Sequence, residues 1–416
     1  MIHGFREGVP TAKLITHELG MDVHVPEGAK GVVYGPNGPL ADAEATSLFA
    51  TSAHNAFTPP SGVPADASIA SLLIPTLKPD PRLVALARTA EIGAGVELEG
   101  MCAKYAGFEQ GFKGTDGFPE GGYGEVMKNL VADIKAAGGE VHLDTEVTKI
   151  EDLGAGKGVR LATKDGGRYT AKVIISTIPH AVLQHSPPTF QPPLSPLYTS
   201  AIERMRTGSL EKVVLSYPSA WWPSPEENGS FLLLPLQDPS VPLTEVKPTS
   251  LRDVLARTVI PVSSFQRIAS TSHPTLLAYM GAASARYISS FAPDEVASAF
   301  HDYLVERLSP SSPPPAPTVK LVTNWQCDPF SLGATSTPVP LTQSRDGERA
   351  SPLDFVIASR PTWDGRLGFA GEHTDLDNHG SVAGAAISGK REGLRVKELL
   401  ERLAEQEANE HGKAVL

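Results

Sequence analysis

Lys212 is the residue whose neighbours best suit it to chemistry. It sits in Gly208-Ser209-Leu210-Glu211-Lys212-Val213-Val214-Leu215-Ser216-Tyr217, an apolar run that reads as a strand, with Trp221-Trp222 after it. On a strand, Lys212, Val214 and Ser216 share one face. A lysine turned inward beside apolar neighbours loses solvation, and its pKa falls. Such an amine orients water or accepts a proton; the alternative is a lysine with its amine in solvent. A second group lies near the C-terminus. Gly365-Arg366-Leu367-Gly368-Phe369-Ala370-Gly371-Glu372-His373-Thr374 reads as a short strand, a tight Ala-Gly turn and a carboxylate. Gly380 to Gly389 then reads as a loop and a helix of small residues, with Ser381 as the expected N-cap. Gly384, Ala385, Ser388 and Gly389 let that helix approach a sheet or a flat ligand, and its start at Val382 favours negative charge. The alternatives are an exposed turn carboxylate for Glu372 and core packing for Val382.

The elements that must position these groups follow from periodicity and breakers. Residues 1–115 read as short helices and loops, including a helix over Thr11–Leu19 ended by Gly20. Val126, Leu130 and Ile134 at i, i+4, i+8 predict a helix closed by Gly138-Gly139. Val141–Leu143, Glu146–Ile150, Val159–Thr163 and Arg168–Ala171 read as strands. Val173–Ser176 is continuously apolar, so a buried strand is expected. Pro187–Pro196 reads as a crossing between domains. Leu276–Met280 and Val319–Thr323 read as strands. Pro293–Leu308 reads as a helix, with Val296, Phe300, Leu304 and Leu308 on one face. The charged tail after about Leu403 reads as frayed.

With 416 residues, 41% hydrophobic and 20% charged, the chain has room for two domains and a large core. No apolar run approaches the roughly 18 residues a membrane helix needs, and the N-terminus has no signal-peptide core. A cytoplasmic protein without a membrane partner is therefore expected. Two cysteines, Cys102 and Cys327, exclude a disulfide framework and a Cys-based zinc site, and Cys327 reads as structural. His17, His24, His180, His185 and His379 have no metal-ligand spacing, so no metal is expected. A net charge of −11 argues against a nucleic-acid partner and mildly favours cationic substrates.

The ordered run from Phe369 to Gly389 resembles the C-terminal FAD-binding segment of the flavin amine oxidases: monoamine oxidases, polyamine oxidases and lysine-specific histone demethylases. The resemblance extends from His3 to about Arg395. It implies an α/β (α+β mixed) fold of two interleaved domains. Residues 1–116 would be the helical part of the substrate domain, and 117–186 the middle FAD segment. Residues 187–350 would complete the substrate domain, and 351–402 the FAD domain, before a tail at 403–416. It implies noncovalent FAD, because Ala334 stands where monoamine oxidases carry a flavin-linked cysteine. Lys212 would hold a water at the flavin N5. Gly371 and Glu372 would lie by the ribityl-phosphate region, and the Val382 N–H would point at the pyrimidine end, with Thr374 and Ser381 as nearby polar contacts. Val147, beside Glu146, would meet the adenine end; Thr177 and Pro179 would end a strand near the cofactor, and Trp325 would pack near the flavin. Ordinary core remains the alternative for these four. His3-Gly4 resembles the loop over the flavin face.

The implied reaction oxidises the C–N bond of a small-molecule amine. A hydride equivalent passes to the flavin, water hydrolyses the imine, and O2 becomes H2O2. Departures from the family's pattern matter. Thr335 and Ser381 hold the two positions where relatives place aromatic rings, so a cation–π sandwich is not supported. Glu109 and Asp116 are candidates to meet a polyamine nitrogen, or else solvated surface. The G-x-G-x-x-G turn that holds FAD pyrophosphate has no match. Gly93-Ala94-Gly95 and Gly154-Ala155-Gly156 come nearest but have Leu98 and Val159 at the third glycine position. Without that βαβ unit, an unpaired strand edge and an open apolar patch are expected. Two rival readings follow: a non-catalytic remnant that binds FAD weakly or not at all, and a related flavoenzyme, such as a desaturase or an amino-acid oxidase. The last needs a basic group for the substrate carboxylate, for which Arg286 is a candidate.

Overall fold

Alternation along Leu210–Ser216 organises the larger half of the molecule. Glu211, Val213 and Leu215 are buried, while Lys212, Val214 and Ser216 are half-buried on the other face. This strand sits in a seven-stranded sheet ordered Val319–Val322, Leu210–Ser216, Thr275–Gly281, Ile260–Ser264, Asn228–Leu233, Lys30–Gly35 and Gly38–Pro39. Its neighbours are antiparallel except Asn228–Leu233 with Lys30–Gly35. The buried face packs on the helix Pro293–Leu308, where Val296, Phe300, Leu304 and Leu308 line one side as their spacing predicts. Each such large apolar side chain contributes about 2–3 kcal/mol on full burial. Arg307 is buried there too. Its guanidinium donates to the carbonyls of Tyr34, Gly35 and Leu234 and to the Tyr303 hydroxyl, so the charge is spread over four acceptors.

The computed structural model describes residues 2–5, 10–54, 58–108 and 114–414. Its smaller half carries a four-stranded sheet ordered Arg168–Ala171, Val159–Thr163, Val147–Asp152 and Thr189–Gln191. Beside it, Ile174–Ser176 and Leu367–Phe369 form a parallel pair. Arg366 joins the two sheets through a two-pronged bond to Asp152, at 2.9 Å on each oxygen. The Gly154–Gly156 string is the hairpin loop between Val147–Asp152 and Val159–Thr163.

Several expectations fail here for one reason. Val141–Leu143 is not a strand; no strand lies beside it among the described residues, and Leu143 is 79% exposed. Val173–Ser176 is not fully buried; only Ser176 is. Ile174 N donates to Arg366 O and Ala370 N to Ser176 O, so the Ile175 and Thr177 backbones face away from this pair. No strand pairs with that edge among the described residues. The helix Gly122–Ala136 forms as predicted but buries only Val126, leaving Met127 53% and Ile134 47% exposed. These features are the open edge and apolar patch expected where a strand–helix unit is lacking. The far edge of the pair is covered: Arg391 donates to Phe369 O and Arg395 to Gly365 O from the terminal helix. That helix runs Val382–Ala414, so the tail is helical rather than frayed. Cys327 is exposed and Cys102 buried, so the structural thiol is Cys102.

Gly93-Ala94-Gly95 closes the short helix Ala90–Ala94, with Gly95 in the left-handed C-terminal position (φ 67°). A Cβ on Gly95 would lie 2.7 Å from Gly208 Cα and 2.8 Å from Ser209 N, which are backbone atoms with no room to yield. Gly93 has open space around it. Gly95→Ala should therefore cost about 2–4 kcal/mol from strain and overpacking, whereas Gly93→Ala should gain about 0.5–1 kcal/mol from helix propensity. Urea midpoints of the two variants measure this, and similar shifts in both would contradict it.

His180 and His373 are both buried, their rings 6.2 Å apart. Nε2 of His180 donates to Ile202 O, and Nδ1 faces Thr207 Oγ1 at 2.8 Å. Burial lowers the His180 pKa to about 4. Burial, and then the His180 charge, lower that of His373 to about 3. Both folded-state values lie below the unfolded one, so as pH falls below about 6.5 the unfolded chain takes up protons that the native state refuses. The stability gap between the wild type and His180→Gln should thus narrow by about 1.4 kcal/mol per pH unit between pH 6.5 and 4. Denaturation curves at pH 7 and 5 test it; a gap independent of pH would refute it.

Candidate active site

Lys212 stands on the half-buried face of its strand, directly opposite Tyr279 of the strand Thr275–Gly281. Burial lowers its pKa, opposed by the charge of Glu211. Its Nζ has no hydrogen-bond or ion-pair partner among the described residues. Glu211 points to the other face and does a different task. Its carboxylate accepts from Thr323 Oγ1 at 2.6 Å and from Gln326 N at 3.2 Å. Lys212 N donates to Thr323 Oγ1 at 2.8 Å, and Ser209 Oγ donates to Gln326 Oε1. One strand thus fixes the segment that carries Trp325. Trp325 is 42% exposed, so it is not the buried structural ring that rivalled the cofactor reading.

The same segment returns to the strand's entrance. Gly333 N donates to Trp325 O, Ala334 N to Gly208 O, and Gly208 N to Thr335 O. Next comes Glu372, which is not an exposed turn carboxylate. It accepts from Ser336 N at 2.9 Å, from Ser336 Oγ, and from Gly380 N at 2.6 Å. Gly380 has φ 70°, and a Cβ there would sit 3.6 Å from Thr335 Oγ1. Thr335 therefore lies against the residue before Ser381. Ser381 Oγ accepts from Gly384 N at 3.1 Å, the expected N-cap of the terminal helix.

Gly371 and Thr374 serve the turn itself. Gly371 N donates to Ser388 Oγ, and the buried Thr374 donates to Gly371 O and accepts from Arg391. Thr177 and Pro179 follow Ser176, whose carbonyl takes Ala370 N, so they sit beside this turn; both are exposed. Val147 stands apart, opposite Thr163 in the four-stranded sheet. Glu109 lies outside the described residues. Arg286 is bonded to Glu97 at 2.6 Å, so it is not a free cation for a carboxylate. Among the described residues there is no cluster fit for a metal and no helix long and apolar enough to cross a membrane.

Val382 is 42% exposed and opens a groove of about 820 Å3. Ala385, Ala386 and Gly389 of the terminal helix line one wall, and Leu14, Tyr123 and Met127 line the other. The small residues expected to admit a flat neighbour thus divide: Ser388 binds the Gly371 turn, and Ala385 and Gly389 border open space. For a flavin the fit is partial. The free Lys212 amine, the capped helix start and Ala334 suit one. Glu372 already accepts from three donors, which fix its carboxylate within the turn. Sequence reasoning passed over Glu211, Thr323, Ser336 and Tyr279. Glu211 was within reach, since strand alternation puts it on the face of Val213 and Leu215. The other three depend on register and loop return, which a single sequence does not carry.

A profile of the family "Flavin containing amine oxidoreductase" matches residues 86–396. Lysine-specific histone demethylase 1 homolog 3 of Arabidopsis thaliana is 28% identical over 304 residues, covering 70% of this chain and 16% of that protein. Probable polyamine oxidase 4 of Arabidopsis thaliana is 26% identical over 278 residues, covering 66% of this chain and 47% of that protein. The chain thus spans less than half the length of these relatives. Cyclohexylamine Oxidase from Brevibacterium oxydans IH-35A superposes with a TM-score of 0.67 at 16% identity, over 96% of this chain and 87% of that one. The fold is therefore the mixed α/β amine-oxidase fold, and by the match over residues 86–396 this chain belongs to the flavin-containing amine oxidoreductases.

Proposed function

We propose that this chain carries the reacting end of an FAD-dependent amine oxidase that takes a small-molecule amine, a polyamine above all, with O2 as oxidant. The observation that carries the reading is the Lys212 amine: half-buried, lowered in pKa, and without a counterion among the described residues. Residues 117–186 and 351–402 would face the flavin, held without a covalent link since Ala334 offers no thiol. The groups that would meet it are Lys212, Trp325, Gly371, the Ser381-capped start of the helix at Val382, and the Thr177–Pro179 strand end, with Val147 further off. When bound, the flavin supplies the two-electron acceptor for C–N oxidation. Lys212, its pKa lowered by burial, would hold a water or receive a proton beside the reacting carbon. The helix start would stabilise negative charge facing it. Thr335 and Ser381 leave the amine's approach lined by small hydroxyls. The open edge at Ile175 favours a second reading, a partial site that holds flavin weakly.

Visible absorption of the purified chain, incubated with FAD and desalted, separates the two. A retained flavin spectrum that spermidine bleaches is expected. Lys212→Met should retain flavin and slow the bleaching at least about tenfold. A folded chain that keeps no flavin would overturn the oxidase reading for this chain. Unchanged bleaching in Lys212→Met would remove the lysine from the mechanism.

A further inference from the structure

Glu211 is a buried carboxylate, 1% exposed, in the strand that carries Lys212. A buried acid is ordinarily paired with a cation. Glu211 forms no ion pair among the described residues; its two oxygens take neutral donors, Thr323 Oγ1 at 2.6 Å and Gln326 N at 3.2 Å. The next residue along the chain is a cation, Lys212, which strand alternation puts on the opposite face.

Both donors belong to the frame around Lys212. Thr323 is bonded to it twice: Thr323 N donates to Lys212 O at 3.0 Å, and Lys212 N donates to Thr323 Oγ1 at 2.8 Å. The hydroxyl thus receives the lysine's amide and gives its own proton to Glu211, which fixes its rotamer. Gln326 is gripped at two points, its side chain by Ser209 Oγ and its amide by Glu211. Trp325 stands between these anchors. It is exposed, so its place depends chiefly on the backbone that Glu211 holds. The carboxylate also bears on the amine. Burial lowers the Lys212 pKa, and the Glu211 charge opposes that fall. From the strand Thr275–Gly281 the titratable group opposite Lys212 is Tyr279; from the other side its neighbour is Thr323, which does not titrate.

We infer that Glu211 is a positioning residue for the reacting face: its carboxylate ties the Trp325 segment to the Lys212 strand through Thr323 and Gln326, and its charge acts on the Lys212 amine across the sheet. The use made of that face rests on the amine-oxidase reading above. The two effects separate by substitution. Glu211→Gln removes the charge and one oxygen acceptor. Glu211→Asp keeps the charge but is too short to reach both donors. Thr323→Val cuts the tie and leaves the charge.

Acetylation of the whole chain with acetic anhydride, read by mass spectrometry against the exposed Lys135, gives the pH midpoint at which the Lys212 amine becomes reactive. The reagent takes the neutral amine, so Glu211→Gln should lower the midpoint by at least about half a pH unit. Glu211→Asp should restore it, and Thr323→Val should leave it in place. Hydrogen exchange of the peptide 323–328 reads the tie. All three variants should speed it about tenfold, the scale of one hydrogen bond to a charged acceptor. A midpoint unmoved in Glu211→Gln would overturn the inference. So would unchanged exchange in Thr323→Val, which keeps the test open if the Glu211 variants do not fold. Neither readout needs flavin. Both expected results, with flavin bleaching unchanged in Lys212→Met, would sink the oxidase reading and leave Glu211 as inferred. Bleaching slowed in Lys212→Met, with neither readout moved by Glu211→Gln, would do the reverse.

Discussion

The Glu372 carboxylate is the point on which the site depends. Three donors from two distant segments, Ser336 N and Oγ and Gly380 N, converge on it. Hydrogen bonds to an ionised acceptor are the strong ones, at about 1.5–3 kcal/mol each. Their effect is positional. The loop after Trp325 and the start of the terminal helix are locked to one turn. Since Thr335 also accepts from Gly208, the strand bearing Lys212 is held in the same frame. Its place in the turn is fixed by those three donors.

Lys212 and Glu211 show how a strand sorts opposite tasks. Adjacent residues point to opposite faces. The acid is buried and satisfied by Thr323 and Gln326, and the amine next to it has no partner among the described residues. Had the register slipped by one, the carboxylate would stand on the half-buried face and the amine would be buried in the apolar core. The seven-residue ladder with Thr275–Gly281 forbids that slip.

Parts of both halves were legible because their signals are local and strong. Pro293–Leu308 begins and ends as its proline, acids and apolar spacing say, and Val159–Thr163 and Arg168–Ala171 match to the residue. The Ser381 cap was legible for the same reason. The failures share one physical cause. Val141–Leu143, Val173–Ile175 and the outer face of Gly122–Ala136 have the composition of buried elements, but no neighbour buries them here. Composition reports what a segment can pack against, and only tertiary structure reports whether a neighbour is there. The site was half legible: Lys212, Thr335 and Ser381 occupy one connected strip, but Glu372's partners and the lysine's cross-strand neighbour come from loop return and register.

The parallel pair of Ile174–Ser176 and Leu367–Phe369 has a consequence for how the molecule comes into being. Its strands lie 193 residues apart in sequence (367 − 174). At roughly 5–20 residues per second, ribosomal synthesis leaves Ile174–Ser176 waiting about 10–40 seconds for its partner. Throughout that interval both of its edges are bare, and the Leu210–Ser216 sheet can close first around its own local neighbours. The order of birth is thus written into the topology: the amine-facing sheet forms early, and the turn at Gly371 and Glu372 that locks the site arrives last.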